Sequence, residues 1–488
     1  MRISRQVGFL AFWILLIVWL ACLMLAPEDY KISEAYLVFV YIITFALVIN
    51  RTSVYEEMAI FLAIFGLYLC SLPVFDLLDI KDIHTTVYPV QFDFNDFTII
   101  TTVNAIAITL LAILLAFLLW GDFSLSSYER EDDTSRCMGN SVVFSDWFYV
   151  LYWFTFLVVL FVRYEQVSSF FSAGGLYLNV FKGNVVDGFA RYFFFSVIVF
   201  DYLFYLFLSS HPQSKDFKKY ATLYVITLLP LLAMGRRGHV FPQLVFLVWY
   251  YHTYIGKINL RSGLGMGTVL VLLADFVVFF RGHRSDAFIS EFGTNVLILI
   301  RHFVEQQGWS IHVINFSVAY YDELKHMELP NVPYFLAQIF MYFQHLWCRL
   351  TLQESVLGHG QTIAAMESNS YLGWNLPYLV NPSLYLAGGG TGSCFVAEYF
   401  LFFGYIGCFF LTILMMYFIF AVKRCICKKH SIFARFLYYL ILRDLFLCPR
   451  SSFLQTISSV FPAVIMFFMM RILWPRFIKK RAVNGESY

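Results

Sequence analysis

The sequence predicts an all-α polytopic membrane protein with about twelve transmembrane helices and one long loop that contains short helices. Three observations predict this class. Hydrophobic residues make up 60% of the 488 residues, charged residues make up only 14%, and the mean hydropathy is +0.69. This composition excludes an ordinary soluble domain and is typical of a multi-pass membrane protein.

The apolar residues are grouped into blocks close to the length that a membrane crossing needs, which is about 20 residues. The first block has no small-residue cleavage pattern after it, so we interpret it as an uncleaved first helix rather than a signal peptide. Twelve blocks are predicted to span the membrane: 7–26, 33–49, 56–75, 97–120, 147–162, 192–210, 220–234, 240–256, 264–280, 394–422, 432–447 and 453–474.

The basic residues of the short connections all lie on one side of the membrane if these blocks alternate in direction. By the positive-inside rule that side is the cytoplasm, and both termini are cytoplasmic. The residues concerned are Arg2, Arg5, Arg51, Lys215, Lys218, Lys219, Lys257, Arg261, Lys423, Arg424, Lys428, Lys429, Arg476, Lys479, Lys480 and Arg481.

The opposite face receives the remaining connections, of which Arg281–Gly392 is by far the longest. This interval is too polar and too rich in Pro and Gly to span a bilayer. The sequence therefore predicts three parts: helices one to nine with short loops (1–280), a large outer loop (281–393), and helices ten to twelve with the C-terminus (394–488).

Two stretches of the long interval are predicted to be helices packed on the outer ends of the bundle. Asn295–Tyr321 and Tyr334–Leu350 are rich in apolar and aromatic residues, but both carry too many polar groups to face lipid. In the first stretch, Arg301 and Glu305 have the spacing of an ion pair on one helix face.

Arginine outnumbers lysine on the predicted outer face, by nine residues to four. A guanidinium group matches phosphate oxygens in pairs and is less strongly hydrated than an ammonium group, so this preference indicates phosphate recognition. For any single arginine, pairing with a nearby carboxylate or a lipid headgroup is the alternative. The nine are Arg163, Arg191, Arg236, Arg237, Arg281, Arg284, Arg301, Arg349 and Arg450.

Two of the arginine clusters are candidates for an anion site. The turn Gly235–His239 contains Arg236 and Arg237 at the outer end of an apolar block, and its glycines would let a ligand approach the backbone closely. A comparable cluster with Arg281 and Arg284 follows the ninth block.

His359 and Glu398 are the candidates for a general base. His359 lies between two glycines, where an imidazole could take a proton from a sugar hydroxyl; a surface histidine is the alternative. Glu398 lies near the outer end of a spanning block, which is costly unless the carboxylate faces a wet cavity or a partner.

Arg443 and Asp444 are predicted to form a buried ion pair. His302, His312, His326 and His345 lack the spacing with carboxylates that a metal site would need.

Several of these features together carry a resemblance to a known family. They are the helix count, the turn Gly235–Gly238, the loop Phe170–Arg191, and the glycine-rich approach to a helix from Gly392 through Glu398 to Gly404. Arg349 and Gly360 also have the spacing of an outer-loop motif found in some members. In these respects the chain resembles the bacterial O-antigen polymerases of the Wzy type.

The resemblance implies glycosyl transfer between two undecaprenyl-diphosphate-linked oligosaccharide repeat units, on the periplasmic face of the bacterial inner membrane. It implies no cofactor, metal or nucleic acid. The implied partners are the undecaprenyl-diphosphate-linked glycan and membrane lipid. A chain-length regulator protein is a further partner that the resemblance leaves open. The implied roles are diphosphate binding by Arg236, Arg237, Arg281 and Arg284, support from Arg349 and Arg450, and proton abstraction by His359 or Glu398.

Three other functions stay open at this stage. One is the related O-antigen ligase. A second is a polyprenyl-phosphate-dependent glycosyltransferase, for which the acidic pair Glu28-Asp29 in the first outer loop is the signal. A third is a transporter of lipid-linked sugars. Transporters often have related halves and charges at the membrane midplane. In this sequence no repeat of the first half is evident in the second, and the charges gather at the predicted outer ends of the helices.

Overall fold

The computed structural model describes residues 4–25, 28–86, 89–121, 143–144, 146–172, 193–234, 236–259, 261–263, 265–268, 296–351, 361–429 and 431–479. Most of these residues are helical, which confirms the predicted all-α membrane class. Two antiparallel pairs of very short strands complete the secondary structure of these ranges: β1 (Thr85–Thr86) with β2 (Phe92–Asp93), and β3 (Val143–Phe144) with β4 (Ile478–Lys479).

The α-helices of the described ranges follow the predicted blocks closely, with breaks that the sequence did not indicate. Their bounds are α1 Arg5–Leu25, α2 Tyr30–Arg51, α3 Glu57–Phe65, α4 Ser71–Leu77, α5 Asp96–Trp120, α6 Asp146–Ser172, α7 Phe194–Ser209, α8 Ser214–Ala233, α9 Arg237–Tyr250, α10 Val296–Gly308, α11 Ile311–Ala319, α12 Tyr321–Met327, α13 Ala337–Leu350, α14 Ile363–Glu367, α15 Leu372–Val380, α16 Pro382–Leu386, α17 Phe395–Lys429, α18 Ile432–Leu445 and α19 Gln455–Phe477.

Six stretches of the described chain are long and apolar enough to cross a membrane. Two shorter apolar helices, Ser196–Ser209 and Ser458–Met469, lie within predicted blocks as well. Only 265–268 of the predicted block 264–280 belong to the described residues, so the count of twelve spans stays a prediction. The six are Arg5–Leu25, Tyr30–Arg51, Glu57–Leu77, Asp96–Trp120, Asp146–Ser172 and Phe395–Ile426.

The first helical bundle is built around α5 and includes α1 to α4 and α17. The side chains of α5 are buried along most of its length, and α2 and α17 pack directly against it. Its many Ala and Thr residues allow this close approach. The Asn104 side chain of α5 accepts a hydrogen bond from the Trp19 indole of α1 at 2.9 Å, which satisfies two buried polar groups.

The second bundle contains α6 to α9 together with α18 and α19. Aromatic rings fill its interior: Phe204 and Tyr224 stack with their centroids 4.0 Å apart, and the Tyr250 hydroxyl donates to the Leu208 carbonyl at 2.7 Å. The helix α18 packs against α7 and α19 and also against α17. It therefore joins the two bundles.

A buried ion pair links α17 to α3 at one end of the first bundle. The Lys423 ammonium pairs with the Glu57 carboxylate and lies 3.8 Å from that of Glu56. Lys423 and Glu57 are both buried. A buried charge is expensive without its partner, so this contact fixes α17 relative to α3.

The helix α17 is broken near its start. Phe403 and Gly404 leave the helical conformation, and Gly404 has φ +58° and ψ −143°, a region that is essentially restricted to glycine. A Cβ atom on Gly407 would lie 2.3 Å from the Tyr399 carbonyl oxygen. The break therefore folds the first two turns, which carry Glu398, back against the rest of the helix.

The long interval differs from its prediction in one respect. The stretch predicted as one helix from Asn295 to Tyr321 consists of α10 and α11, and α12 begins at Tyr321. Gly308 ends α10 where a Cβ atom would lie 2.4 Å from the Ser71 hydroxyl, so close packing on α4 occurs at the break. The second predicted helix is confirmed, as a short 3-10 turn at Tyr334–Leu336 followed by α13.

The turn predicted at Gly235–His239 is shorter than expected, because α9 already begins at Arg237. The Arg236 backbone N–H donates to the Leu231 carbonyl of α8 at 2.9 Å. This bond closes the end of α8, and the chain then turns directly into the next helix.

Candidate active site

A cavity with several polar and charged side chains in a largely apolar wall lies between the second bundle and the long interval. Its volume is about 420 Å³, a size typical of small-molecule sites. We call it the polar cavity. Its lining residues come from α7, α13, α18 and α19: Ile198, Asp201, Tyr202, Tyr342, His345, Leu346, Arg443, Ser458, Ser459 and Pro462.

The helix directions place this cavity at one end of the second bundle. Asp201 lies about two turns after the start of α7, and Ser458 and Ser459 lie in the first turn or so of α19. Arg443 lies in the last turn of α18, which runs in the opposite direction. Arg443 and the two serines therefore meet near the ends of their helices, whereas Asp201 lies at the middle of α7, where a carboxylate needs polar or cationic partners.

Arg443 is the most firmly held residue of the polar cavity. Its Nε donates to the Asp444 carboxylate at 2.7 Å, and a terminal nitrogen donates to the Ser459 hydroxyl at 3.1 Å. The guanidinium also lies 5.4 Å from the centre of the Tyr205 ring. The predicted Arg443–Asp444 ion pair is thereby confirmed.

Two arginines from separate elements lie near Asp201 and a third lies near one of them, and we call the three the arginine cluster. Arg443 and Arg163 both act electrostatically on the Asp201 carboxylate, and Arg236 lies close enough to Arg163 to act on its charge. Arg163 is buried in α6 and donates to the Gln166 side chain at 2.8 Å. Asp444 pairs with Arg443, and Asp201 interacts with both Arg443 and Arg163.

Glu398 and Arg450 belong to a second polar group, at the connection between α18 and α19. The Glu398 carboxylate is fully buried and accepts hydrogen bonds from the hydroxyls of Ser393 at 2.7 Å and Ser452 at 2.8 Å. Arg450 is exposed and donates to the Gln307 side chain at 3.3 Å. The structure thus brings these two predicted residues to one connection.

The structure describes the other predicted site residues incompletely. Arg281, Arg284 and His359 lie outside the described residues. Arg237 is the first residue of α9 and Arg349 lies in the last turn of α13, and only their backbone is described. Arg236 is the predicted diphosphate ligand that the structure brings to the arginine cluster.

Sequence reasoning missed Asp201 and His345. A signal for Asp201 was available, because it is a lone carboxylate inside an apolar block of membrane length. His345 lies three residues after Tyr342 on the helix α13, so both point to the same side, and both line the polar cavity. That pairing becomes informative only once the neighbouring helices are known.

The opposite side of α13 lines a second, apolar cavity of about 540 Å³, which we call the apolar groove. Phe340, Phe343 and Trp347 belong to it, and all three are substantially exposed. Leu346 lines both cavities. The helix α13 therefore separates a polar space from an apolar one.

One group of side chains has the composition of a metal site. Ligand atoms of Asp76, Asp82 and His84 lie within 4.8 Å of one another, in the connection that follows α4. The Lys31 ammonium already pairs with the Asp76 carboxylate. A divalent cation would have to displace this ammonium group, so the arrangement fits an ion-pair network better than a metal centre.

The buried histidine of the long interval serves packing rather than chemistry. His312 stacks on Phe94 with centroids 5.5 Å apart. Burial, with a smaller contribution from the positive charge of Lys81, lowers the pKa of His312 to about 3. The ring is therefore uncharged at neutral pH, as a packed core group should be.

Two helical bundles of membrane length, with the polar cavity and the arginine cluster in the second bundle, define a polytopic membrane protein. The family model for the O-antigen polysaccharide polymerase Wzy matches residues 9–481. The chain therefore belongs to the O-antigen polysaccharide polymerase Wzy family. No curated protein and no solved structure matches the chain.

Proposed function

We propose that this protein polymerises undecaprenyl-diphosphate-linked oligosaccharide repeat units by glycosyl transfer on the periplasmic face of the bacterial inner membrane. The family supports an O-antigen polymerase, which makes polysaccharide from lipid-linked repeat units in the membrane. The observation that carries the finer proposal is the arginine cluster beside the polar cavity. It offers fixed positive charge where a diphosphate would leave.

The chemistry explains why such a cluster matters. During glycosyl transfer the bond between the sugar and the diphosphate breaks, and negative charge develops on the diphosphate. Preorganised cations stabilise that charge more in the transition state than in the bound substrate, which lowers the barrier. We assign this role to Arg163, Arg236 and Arg443. Arg237, Arg281, Arg284, Arg349 and Arg450 are proposed as further diphosphate ligands or supporting cations.

The proposed side of the membrane rests on helix direction. The polar cavity adjoins the end of α18, the beginning of α19 and the middle of α7. The opposite ends of the helices adjoin the connections rich in basic residues, such as the one after Lys423, which the positive-inside rule assigns to the cytoplasm. Both observations support a periplasmic cavity and cytoplasmic termini.

Of the two bases predicted from the sequence, His359 stays a prediction. Glu398 has both carboxylate oxygens engaged by the serines on either side of it. We propose that it first of all holds the start of α17 against the connection before α19. Its part in proton transfer would require one of these bonds to open.

Deletion of the gene followed by gel analysis of surface polysaccharide tests the proposed function. Loss of a polymerase leaves lipopolysaccharide with one repeat unit, and re-expression restores the ladder. Loss of a ligase would leave no attached repeat unit at all. In reconstituted vesicles, transport of repeat units without any lengthening of the glycan would support the transporter instead.

A chelator distinguishes the remaining enzyme class. A polymerase that uses arginine side chains for charge stabilisation should keep its activity in EDTA. A metal-dependent glycosyltransferase that uses the first outer loop should lose activity in EDTA and in the Asp29→Ala variant.

A chain-length regulator protein is proposed as a partner. Its deletion should alter the ladder's length distribution without abolishing the ladder.

A further inference from the structure

The described residues that line the polar cavity include one imidazole side chain. Among the described residues that line it, the titratable and charged groups are Asp201, Tyr202, Tyr342, His345 and Arg443. Arginine stays protonated in proteins, and an unperturbed tyrosine is already protonated at pH 7. Asp201 interacts with Arg443 and Arg163, and we assign its carboxylate to these two arginines rather than to the acceptor hydroxyl. Histidine is the side chain that most often acts as a general acid or base in enzymes, and His345 is the histidine among these groups.

Packing holds this imidazole in position. On α13 the rings of Tyr342 and Phe343 both contact Phe461 of α19, with centroids 5.4 and 5.5 Å apart. These contacts fix α13 against α19. The half-buried His345, one turn along the same helix from Tyr342, is thereby held at the cavity wall opposite Asp201 and Arg443, which come from α7 and α18.

We infer that His345 is the general base of the transfer reaction and accepts the proton of the attacking sugar hydroxyl. This inference rests on the proposed function. The hydroxyl oxygen of the acceptor sugar forms a bond to the anomeric carbon of the donor sugar. The bond from that carbon to the diphosphate oxygen breaks, and its electron pair leaves with the diphosphate. The hydroxyl proton passes to the unprotonated ring nitrogen of His345 and afterwards to water.

The surrounding charges suit this step. The imidazolium ion that forms shares the cavity with the carboxylate of Asp201, and the departing diphosphate shares it with the guanidinium of Arg443. Positive and negative charge therefore develop next to groups of opposite sign. The separation of charge in the transition state is stabilised at both ends.

The apolar groove gives the substrate a consistent orientation. A diphosphate bound by the arginine cluster would lie on one side of α13, and an apolar chain could follow the exposed aromatic residues on the other side. Leu346, which lines both cavities, marks the place where the two meet.

The test uses the purified full-length protein and undecaprenyl-diphosphate-linked repeat units extracted from a strain that lacks this chain. We expect His345→Gln, which keeps a polar side chain of similar size, to lower kcat at least about 100-fold while KM changes only a few-fold. His326→Gln is the matched control, because His326 is exposed on α12 and does not line the polar cavity. It should leave both constants unchanged.

Added imidazole separates a catalytic role from a structural one. In His345→Ala, which leaves space for a free imidazole, 50 mM imidazole should restore part of the lost rate. It should not do so for His326→Ala or the wild type. If His345→Gln does not accumulate in membranes, His345→Ala with and without imidazole decides the question alone.

Two outcomes would overturn the inference. A His345→Gln or His345→Ala protein within about threefold of the wild-type kcat, in preparations where the wild type lengthens glycans, shows that His345 is not the base. The same conclusion follows if the variants change only KM and keep the wild-type kcat, or if added imidazole does not raise the rate of His345→Ala. A wild-type protein that lengthens no glycan overturns the proposed function itself, and this inference with it.

Discussion

At the scale of single residues, the arginine cluster combines side chains held to different degrees. Arg443 contacts Asp444, Ser459 and the ring of Tyr205, so its guanidinium is in place before any ligand arrives. Arg236 is only half-buried and lies between two helices. It is the member of the cluster that the sequence also predicted as a diphosphate ligand, which makes it the natural probe of charge stabilisation.

We expect Arg236→Ala to lower the rate of glycan lengthening by about 10²–10³-fold, the usual effect of losing one group that stabilises developing charge. The rate is measured with extracted lipid-linked repeat units. Arg301→Ala is the matched control, because Arg301 is exposed and its ion pair with Glu305, at 2.9 Å, is of the kind that contributes little. Equal activity of both variants would exclude the arginine cluster as the diphosphate site.

His312 provides a prediction about pH. Its pKa is lowered to about 3 in the folded protein, so the unfolded chain binds a proton at a higher pH than the folded one. The stability due to this burial is complete above an ordinary imidazole pKa of about 6.5 and is lost below it, by about 1.4 kcal/mol for each pH unit.

Wild-type protein in detergent should therefore become less stable to heat as the pH falls from 7 to 5, and His312→Gln should show a weaker dependence. His211 is buried in the same way, with its pKa also lowered to about 3, so one substitution removes only part of the slope. Parallel melting curves for wild type and His312→Gln across this range would contradict the assignment.

At the scale of elements, the break in α17 positions Glu398. A continuous helix would carry its first two turns straight on, away from the connection that contains Ser452. The glycine conformation at Gly404 turns these residues back, and Gly407 lets the Tyr399 carbonyl approach the following turn. The break is thus a cause of the Glu398–Ser452 contact.

We expect Gly407→Ala to destabilise the protein by about 1–3 kcal/mol, because the new methyl group would collide with a backbone carbonyl rather than with a side chain that can rotate away. The measurement is the melting temperature in detergent. Gly267→Ala is the matched control, since a Cβ atom there meets nothing within 4 Å. If Gly407→Ala and Gly267→Ala have the same melting temperature, the break does not depend on the close approach at Gly407.

The elements also show how far sequence reasoning reaches. Apolar block length predicted α2, α5 and α13 to within a few residues, and the spacing of Arg301 and Glu305 predicted an ion pair that the structure confirms. The break at Gly404 could not be predicted in this way. A glycine within an apolar block is compatible with a straight helix, and only the neighbouring helices decide whether it bends.

At the scale of the whole molecule, charge is divided between two ends. The Lys423–Glu57 pair lies at one end of the first bundle, and Arg301, which donates to the Ile80 carbonyl at 3.3 Å, adjoins the loop between α4 and α5 at the other. The proposed orientation makes the first end cytoplasmic and the second periplasmic.

Labelling with a thiol reagent that does not cross membranes tests this orientation. In a variant that retains Cys425 as its one cysteine, the exposed Cys425 thiol should react only after spheroplasts are lysed. In a cysteine-free variant that carries Arg301→Cys, the new thiol should react in intact spheroplasts. The reverse pattern would place the polar cavity in the cytoplasm and contradict the proposed function.

The candidate site was only partly predictable for a physical reason. Arg236 was identified because two cations beside an apolar block oppose the positive-inside tendency, a signal carried by the local sequence. Asp201, His345 and Arg443 come from α7, α13 and α18, which are far apart in the chain. Their convergence depends on how the second bundle packs, and no local pattern encodes it.

The size of the polar cavity has a consequence for polymer length. About 420 Å³ is room for a small ligand, far less than a long glycan occupies. The enzyme would therefore bind the linkage between the sugar and its lipid carrier in the polar cavity, while the rest of the growing glycan stays outside the cavity. Such a site does not contact the repeats that are already joined. The length distribution would then depend on two rates, that of another round of transfer and that of product release.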